Sequence, residues 1–166
     1  LDPNYFQHLL YLESDWNSTA PEDKKLVGAF GVHYEPYALY PGKTKALSDL
    51  KEGGVITITN DPSNETRALF LLQEAGLITL PEDATQESSL TVLDIVSNPL
   101  KLDIKEVDAS SLPATLLDAD FAVINGNYAL DAGLSPARDA IFLESADNYT
   151  NYVVVRQEDA DADFVK

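Results

Sequence analysis

Two polar stretches in this chain carry the residue types that hold a small charged molecule. They are Asn60-Asp61-Pro62-Ser63-Asn64-Glu65-Thr66-Arg67-Ala68-Leu69 and Val123-Ile124-Asn125-Gly126-Asn127-Tyr128-Ala129. The first follows the apolar run Val55–Thr59 and opens a helical run from Arg67 to Ala75, which puts its polar groups at a strand-to-helix turn. Open α/β sheets bind small molecules in the crevice beyond the carboxyl ends of their strands, at such turns. Arg67 falls in the predicted first turn, where the helix dipole opposes a cation. An anion lying there would reverse that penalty, gripped by the guanidinium and the turn's backbone N–H groups. Pairing of Arg67 with a surface acid such as Glu65 or Glu74 is the alternative. Asn125 and Asn127 each offer a donor and an acceptor, so together they suit an ammonium and a carboxylate. They could equally supply left-handed conformations to a turn.

A third group lies near the start. His8 and Tyr11 are three apart and share a face of a predicted helix, with Tyr5 and Phe6 close by. Aromatic rings beside a neutral imidazole suit an apolar or thioether side chain, and a core helix with one satisfied His explains the same residues. His33, in Val32-His33-Tyr34-Glu35-Pro36, is accounted for as a structural His on a strand.

Composition narrows the chemistry. The 166 residues are 45% apolar, enough for one ordinary domain or two small lobes. Eleven basic against 28 acidic residues give a net charge of −17, which repels nucleic acid and anionic lipid. With no cysteine there is no disulfide, thiolate chemistry or cysteine-held metal. The chain has no Gly-x-Ser-x-Gly, His-Glu-x-x-His or phosphate loop, so an enzyme using His8 or His33 as a base finds no nucleophile or metal, and no cofactor is expected. The acidic run Glu158-Asp159-Ala160-Asp161-Ala162-Asp163 lacks the Gly and closing Glu of a calcium loop. No apolar run approaches the roughly 18 residues of a membrane span. An acidic module binding a protein partner through exposed aromatics such as Trp16 and Tyr40 is the competing class.

The elements that must position these groups alternate. Helices are predicted over 5–16 (with Asn4 as N-cap), about 64–75, 90–97 and 112–118. Gly76 is the expected C-cap of the second and Pro113 lies in the first turn of the last. Residues 26–40 are β-rich around Pro36, and strands are predicted at Val55–Thr59, 102–107, 121–124, 140–143 and 152–156. Such alternation with short loops indicates an α/β sheet covered by helices on both faces.

Four segments, 5–12, 32–36, 60–69 and 123–129, resemble in order the NlpA family of methionine-binding lipoproteins, the extracytoplasmic receptors of methionine ABC importers. The resemblance runs over essentially the whole chain. It implies a two-lobed periplasmic-binding-protein-like α/β fold (type II), truncated at both ends, with the ligand in a cleft between lobes joined by two crossing strands. Residues 1–37 and 128–166 would form lobe one and 38–127 lobe two. Arg67 would grip the carboxylate of methionine or a close relative, Asn125 its polar head, with Asn127 and Asn151 as further head-group contacts. Phe6, His8 and Tyr11 would line the side-chain pocket. The implied partner is an ABC transporter permease, and the implied location is extracytoplasmic, membrane-held only through an upstream lipid anchor absent from this sequence. Two departures are visible: Leu10 replaces the Pro before the family's Tyr, predicting a straighter helix with Tyr11 displaced, and Asp147-Asn148-Tyr149-Thr150 replaces Ser-Pro before Asn151.

Overall fold

The computed structural model describes residues 4–14, 16–145 and 150–160, with the side chains of 4–7 and 14 left out. In chain order its first elements are β1 (Asn4–His8), α1 (Leu9–Ser14), α2 (Trp16–Thr19), β2 (Leu26–Tyr34), β3 (Ala38–Pro41), β4 (Val55–Thr59) and α3 (Pro62–Glu74). They are followed by β5 (Asp103–Val107), α4 (Leu112–Thr115), β6 (Phe121–Ile124), α5 (Gly126–Asp131), α6 (Pro136–Asp139), β7 (Phe142–Leu143) and β8 (Thr150–Arg156). Among the described residues no helix is long and apolar enough to cross a membrane. The chain divides into two compact units, Leu1–Glu35 with Ala146–Lys166, and Pro36–Ser145. The second division falls later than residue 128, because β7 pairs with β3 and α6 packs on it, tying 128–145 to the second unit.

The first unit is a three-stranded antiparallel sheet in the order β1-β8-β2. Residues predicted to begin a helix at 5 are therefore strand up to His8. Their backbone groups are taken by β8, a partner far away in sequence, and this non-local pairing overrides the local helical spacing. Asn4 is accordingly no helix cap. The predicted loop 17–25 contains the rest of α2 and a 3-10 turn at Glu22–Lys24. Buried Asn17 ties the two ends of this stretch: its Nδ2 donates to Leu26 O (2.9 Å) and its Oδ1 accepts from Leu26 N (3.0 Å).

The second unit is a mixed five-stranded sheet in the order β5-β4-β6-β3-β7. β4 runs parallel to β5 and β6, and β3 antiparallel to β6 and β7. Buried on both faces, β6 is a continuous apolar run, Phe121-Ala122-Val123-Ile124, while β4 alternates Ile with Thr and Thr57 Oγ1 meets Thr115 Oγ1 at 2.6 Å. Ile56, Ile58, Phe121, Val123 and Leu39 face one cluster, which α3 covers with Ala68, Leu69, Leu71 and Leu72. Ala122, Ile124, Ala38 and Tyr40 face a second, with Leu112 of α4 and Ala129 of α5. Tyr40 is fully buried, so it is not the exposed aromatic that the protein-partner class requires; Trp16 is half-exposed.

α3 has clear ends. Asp61 is its N-cap, Oδ1 accepting from Asn64 N (3.0 Å), and Pro62 follows where its missing N–H costs nothing. At the other end Gly76 takes a positive φ of 75°, with Leu77 N to Leu72 O at 3.0 Å and Gly76 N to Gln73 O at 2.9 Å, a Schellman motif. The helix predicted at 90–97 is only a 3-10 turn, Val92–Asp94, closed by a Thr91/Asp94 capping box. Leu90, Val92 and Ile95 pack against the core, but Leu93 is 90% exposed and Val96 67%, so only part of the apolar face is covered.

Candidate functional site

The topology collects polar groups at one edge of the second unit's sheet. β4, β6 and β7 run the same way, so their carboxyl ends, and the amino end of antiparallel β3, lie together. The chain leaves β4 through α3 toward β5 on one side, and leaves β6 through α5 toward β7 on the other. This is a switch point, the place where α/β sheets open a crevice for ligands. Around it stand Asp61 and Arg67 after β4, Asn125 and Asn127 after β6, Tyr37 before β3 and Glu144 after β7.

Arg67 sits in the second turn of α3, not the first, because the helix begins at Pro62. The dipole penalty fades there, and a different partner explains the residue. Arg67 Nε donates to Glu144 Oε2 at 2.8 Å, Nη2 donates to Glu144 Oε1, and both side chains are about 5% exposed. The expected surface acids, Glu65 and Glu74, are not that partner. Cζ of Arg67 lies over the Tyr37 ring, 4.2 Å from its centroid, a cation–π contact in a desolvated place. The Tyr37 backbone N–H donates to Glu144 Oε1 (2.6 Å), and Glu144 N–H donates to Tyr37 O (3.1 Å). Burial pushes the Tyr37 phenol far above its ordinary value; Arg67 pulls it down, while Asp61, Glu144 and Tyr128 add to the rise. Groups from the loops after β4, β6 and β7 are thus in electrostatic reach of one ring.

Asn125 is the N-cap residue of α5 in extended backbone, and its side chain makes no cap bond. Gly126 begins that helix, so the pair of Asn residues does not form the left-handed turn considered from sequence. The Oδ1 atoms of Asn125 and Asn127 are buried without a hydrogen-bond partner among the described residues. Buried polar atoms of this kind are uncommon and call for a bonding partner.

In the first unit, His8 is the last residue of β1 and is buried. Its Nδ1 accepts from Tyr11 N (3.1 Å), capping α1 and placing the imidazole proton on Nε2. The His8 and Tyr11 rings meet edge to face, with centroids 6.2 Å apart. Asn151, also buried, lies opposite His8 across the β1–β8 pair and opposite His33 across β2–β8. His33 itself meets Glu35 at 3.1 Å and is half-exposed. Leu10 occupies the first turn of α1, where Pro is tolerated, so the departure from the family's Pro leaves the His8–Tyr11 contact in place. Phe6 is on β1, but its side chain, the departure at 147–149 and Asp161 to Asp163 lie outside the described residues.

Glu144 and Tyr37 were not singled out by sequence. An acid directly after a short apolar strand is the only local signal, and strand order is what brings it to Arg67 across 77 positions. Glu65 and Thr66 were also missed. Both are buried: Thr66 Oγ1 accepts from Leu90 N (2.9 Å) and Glu65 Oε1 from Val92 N (3.2 Å), fastening the 80–92 loop to α3. Burial pushes the Glu65 carboxyl up to about 7, helped by its hydrogen bond to Glu106 and the charges of Glu106 and Asp94, against the Val92 N–H. A carboxyl raised on folding is stabilising while protonated, so the contribution of Glu65 is full below about pH 4.5 and is lost as pH rises through about 7. Glu65→Gln is expected to flatten that slope and to stabilise the protein at pH 8 by roughly 1–3 kcal/mol, measured by urea melts at pH 5 and 8.

A recess of about 570 Å³ opens at the opposite edge of this sheet, lined by Lys43, Lys45, Lys51, Asp49, Glu52 and Asp120. Its charges balance. Asp120 accepts from Thr44 Oγ1 (2.6 Å) and Val55 N (2.8 Å), which hold its carboxyl below the ordinary value and pin the start of β4.

The family described as NlpA lipoprotein matches residues 1–166. Outer membrane lipoprotein 3 of Mannheimia haemolytica is 42% identical over all of this chain and 62% of its own length. The D-methionine-binding lipoprotein MetQ of Escherichia coli is 41% identical over all of this chain and 60% of its own. The chain thus spans about three-fifths of the curated relatives it matches. A nutrient binding protein from Burkholderia cenocepacia, solved bound to methionine, superposes with a TM-score of 0.90 at 47% identity, over 99% of this chain and 68% of that one. With a periplasmic substrate-binding fold and a match along its whole length, the chain belongs to the NlpA lipoprotein family.

Proposed function

We propose that this chain is the greater part of an extracytoplasmic receptor that captures methionine or a close relative and delivers it to an ABC importer permease, held at the membrane by a lipid anchor. It binds its ligand without turning it over and needs no cofactor. The two units correspond to the two lobes. The observation that carries the reading is the set of polar groups beyond the switch-point edge of the second unit's sheet, where Arg67 stands with two buried amide oxygens that have no hydrogen-bond partner among the described residues. Arg67 takes the ligand carboxylate, and the Asn125 and Asn127 oxygens accept from its ammonium. His8, Tyr11 and Phe6 supply the wall for the thioether side chain, and Asn151 beside His8 a further head-group contact. The names of the relatives, D-methionine-binding and methionine-bound, support the ligand class.

A thermal-shift screen of the twenty amino acids tests the reading. Methionine should stabilise most, and Lys, Asp and Glu should not, since a charged side chain in an aromatic slot loses hydration without gaining a partner. Preferential stabilisation by any of the charged three would defeat it.

A further inference from the structure

Arg67 is held on two sides. Glu144 grips its guanidinium in the plane, Nε to Oε2 at 2.8 Å and Nη2 to Oε1, and the Tyr37 ring lies against its face at 4.2 Å. Glu144 is in turn fixed by the Tyr37 N–H at 2.6 Å, and Tyr37 and Glu144 each lie one residue inside the boundaries of the second unit, Pro36 and Ser145. A fork and a stacked ring together leave the guanidinium one orientation, and planar Arg makes directional contacts only in its own plane. The carboxylate also cancels the arginine's charge inside a site with little water to screen either. A simple carboxylate approaching Arg67 meets a second, buried negative charge directly behind it. A zwitterion does not suffer equally, because its ammonium offsets that repulsion.

We propose that Glu144, backed by Tyr37, is a positioning and specificity residue that aims Arg67 and makes the site select zwitterionic amino acids over simple carboxylates. The inference rests on the amino-acid site proposed above.

The test is calorimetric titration of the wild-type chain and Glu144→Gln with two probes, L-methionine and its deaminated analogue methylthiobutanoate. Gln keeps an acceptor for Arg67 but removes the charge. In the variant L-methionine should weaken at least about tenfold while the analogue holds or gains, so the ratio of the two affinities should fall about tenfold or more, equivalent to ~1.4 kcal/mol. Tyr37→Leu, which keeps the charge and the backbone N–H but removes the ring, should weaken L-methionine several-fold with the analogue's affinity falling in proportion. An unchanged ratio in folded Glu144→Gln would overturn the inference while leaving the amino-acid site standing. Should that variant not fold, equal affinity of the wild type for the two probes overturns it instead. If the wild type binds no L-methionine, the amino-acid reading and this inference fall together.

Discussion

Arg67→Ala is expected to weaken L-methionine binding at least about a hundredfold and to destabilise the second unit by about 3–5 kcal/mol, because removal of one member of a buried ion pair strands the other. The stranded group is Glu144, whose side chain is 4% exposed. The two effects have different origins and can be separated. Adding Glu144→Gln to Arg67→Ala removes the unpaired charge, so much of the stability should return in urea melts while binding stays lost. Calorimetry that finds near-wild-type affinity in Arg67→Ala would remove Arg67 as the carboxylate anchor, whatever its effect on stability.

Phe121→Ala should cost about 3–5 kcal/mol, by loss of buried area and the cavity left behind. Phe121 is fully buried at the start of the central strand β6, opposite Ile56 on β4 and Pro41 on β3, and Asn125 directly follows that strand. A domain stable by 5–15 kcal/mol loses a large share of its margin in this way. Leu93→Ser is the matched control: at 90% exposure it should change stability by less than about 0.5 kcal/mol. Equal urea midpoints for the two variants would contradict the packing described for the central strands.

The parts of the fold legible in the sequence were those with strong, two-sided burial. Val55–Thr59 and Phe121–Ile124 are short apolar runs, and both are central strands. The helix before Gly76 was legible too, because its apolar face and its stop signal agree, although Asp61 and Pro62 start it earlier than Asn64. Tyr5 to His8 misled because its aromatic spacing fits a helix equally well, and a strand at residue 150 decides the matter. The stretch 90–97 misled for the opposite reason, since its apolar residues pack against nothing on one side. At the site, Arg67 and the two Asn residues could be named because they punctuate strand ends. Glu144 and Tyr37 could not, because their roles depend on β7 and β3 joining the same sheet beside β6. The partner of an arginine is a fact of topology, which no local pattern of a single chain encodes.

The central claim is that the switch-point edge of the second unit holds the head group of an amino acid. A two-dimensional NMR titration of the isotopically labelled chain with L-methionine tests it most directly, because it locates even a weak ligand. The expected result is a saturable shift of the Arg67 Nε–H and of the Asn125 and Asn127 side-chain amides, with one dissociation constant fitting all three. Shifts confined to the lysine-lined recess at the opposite edge, or no saturable shift at those three groups, would contradict it.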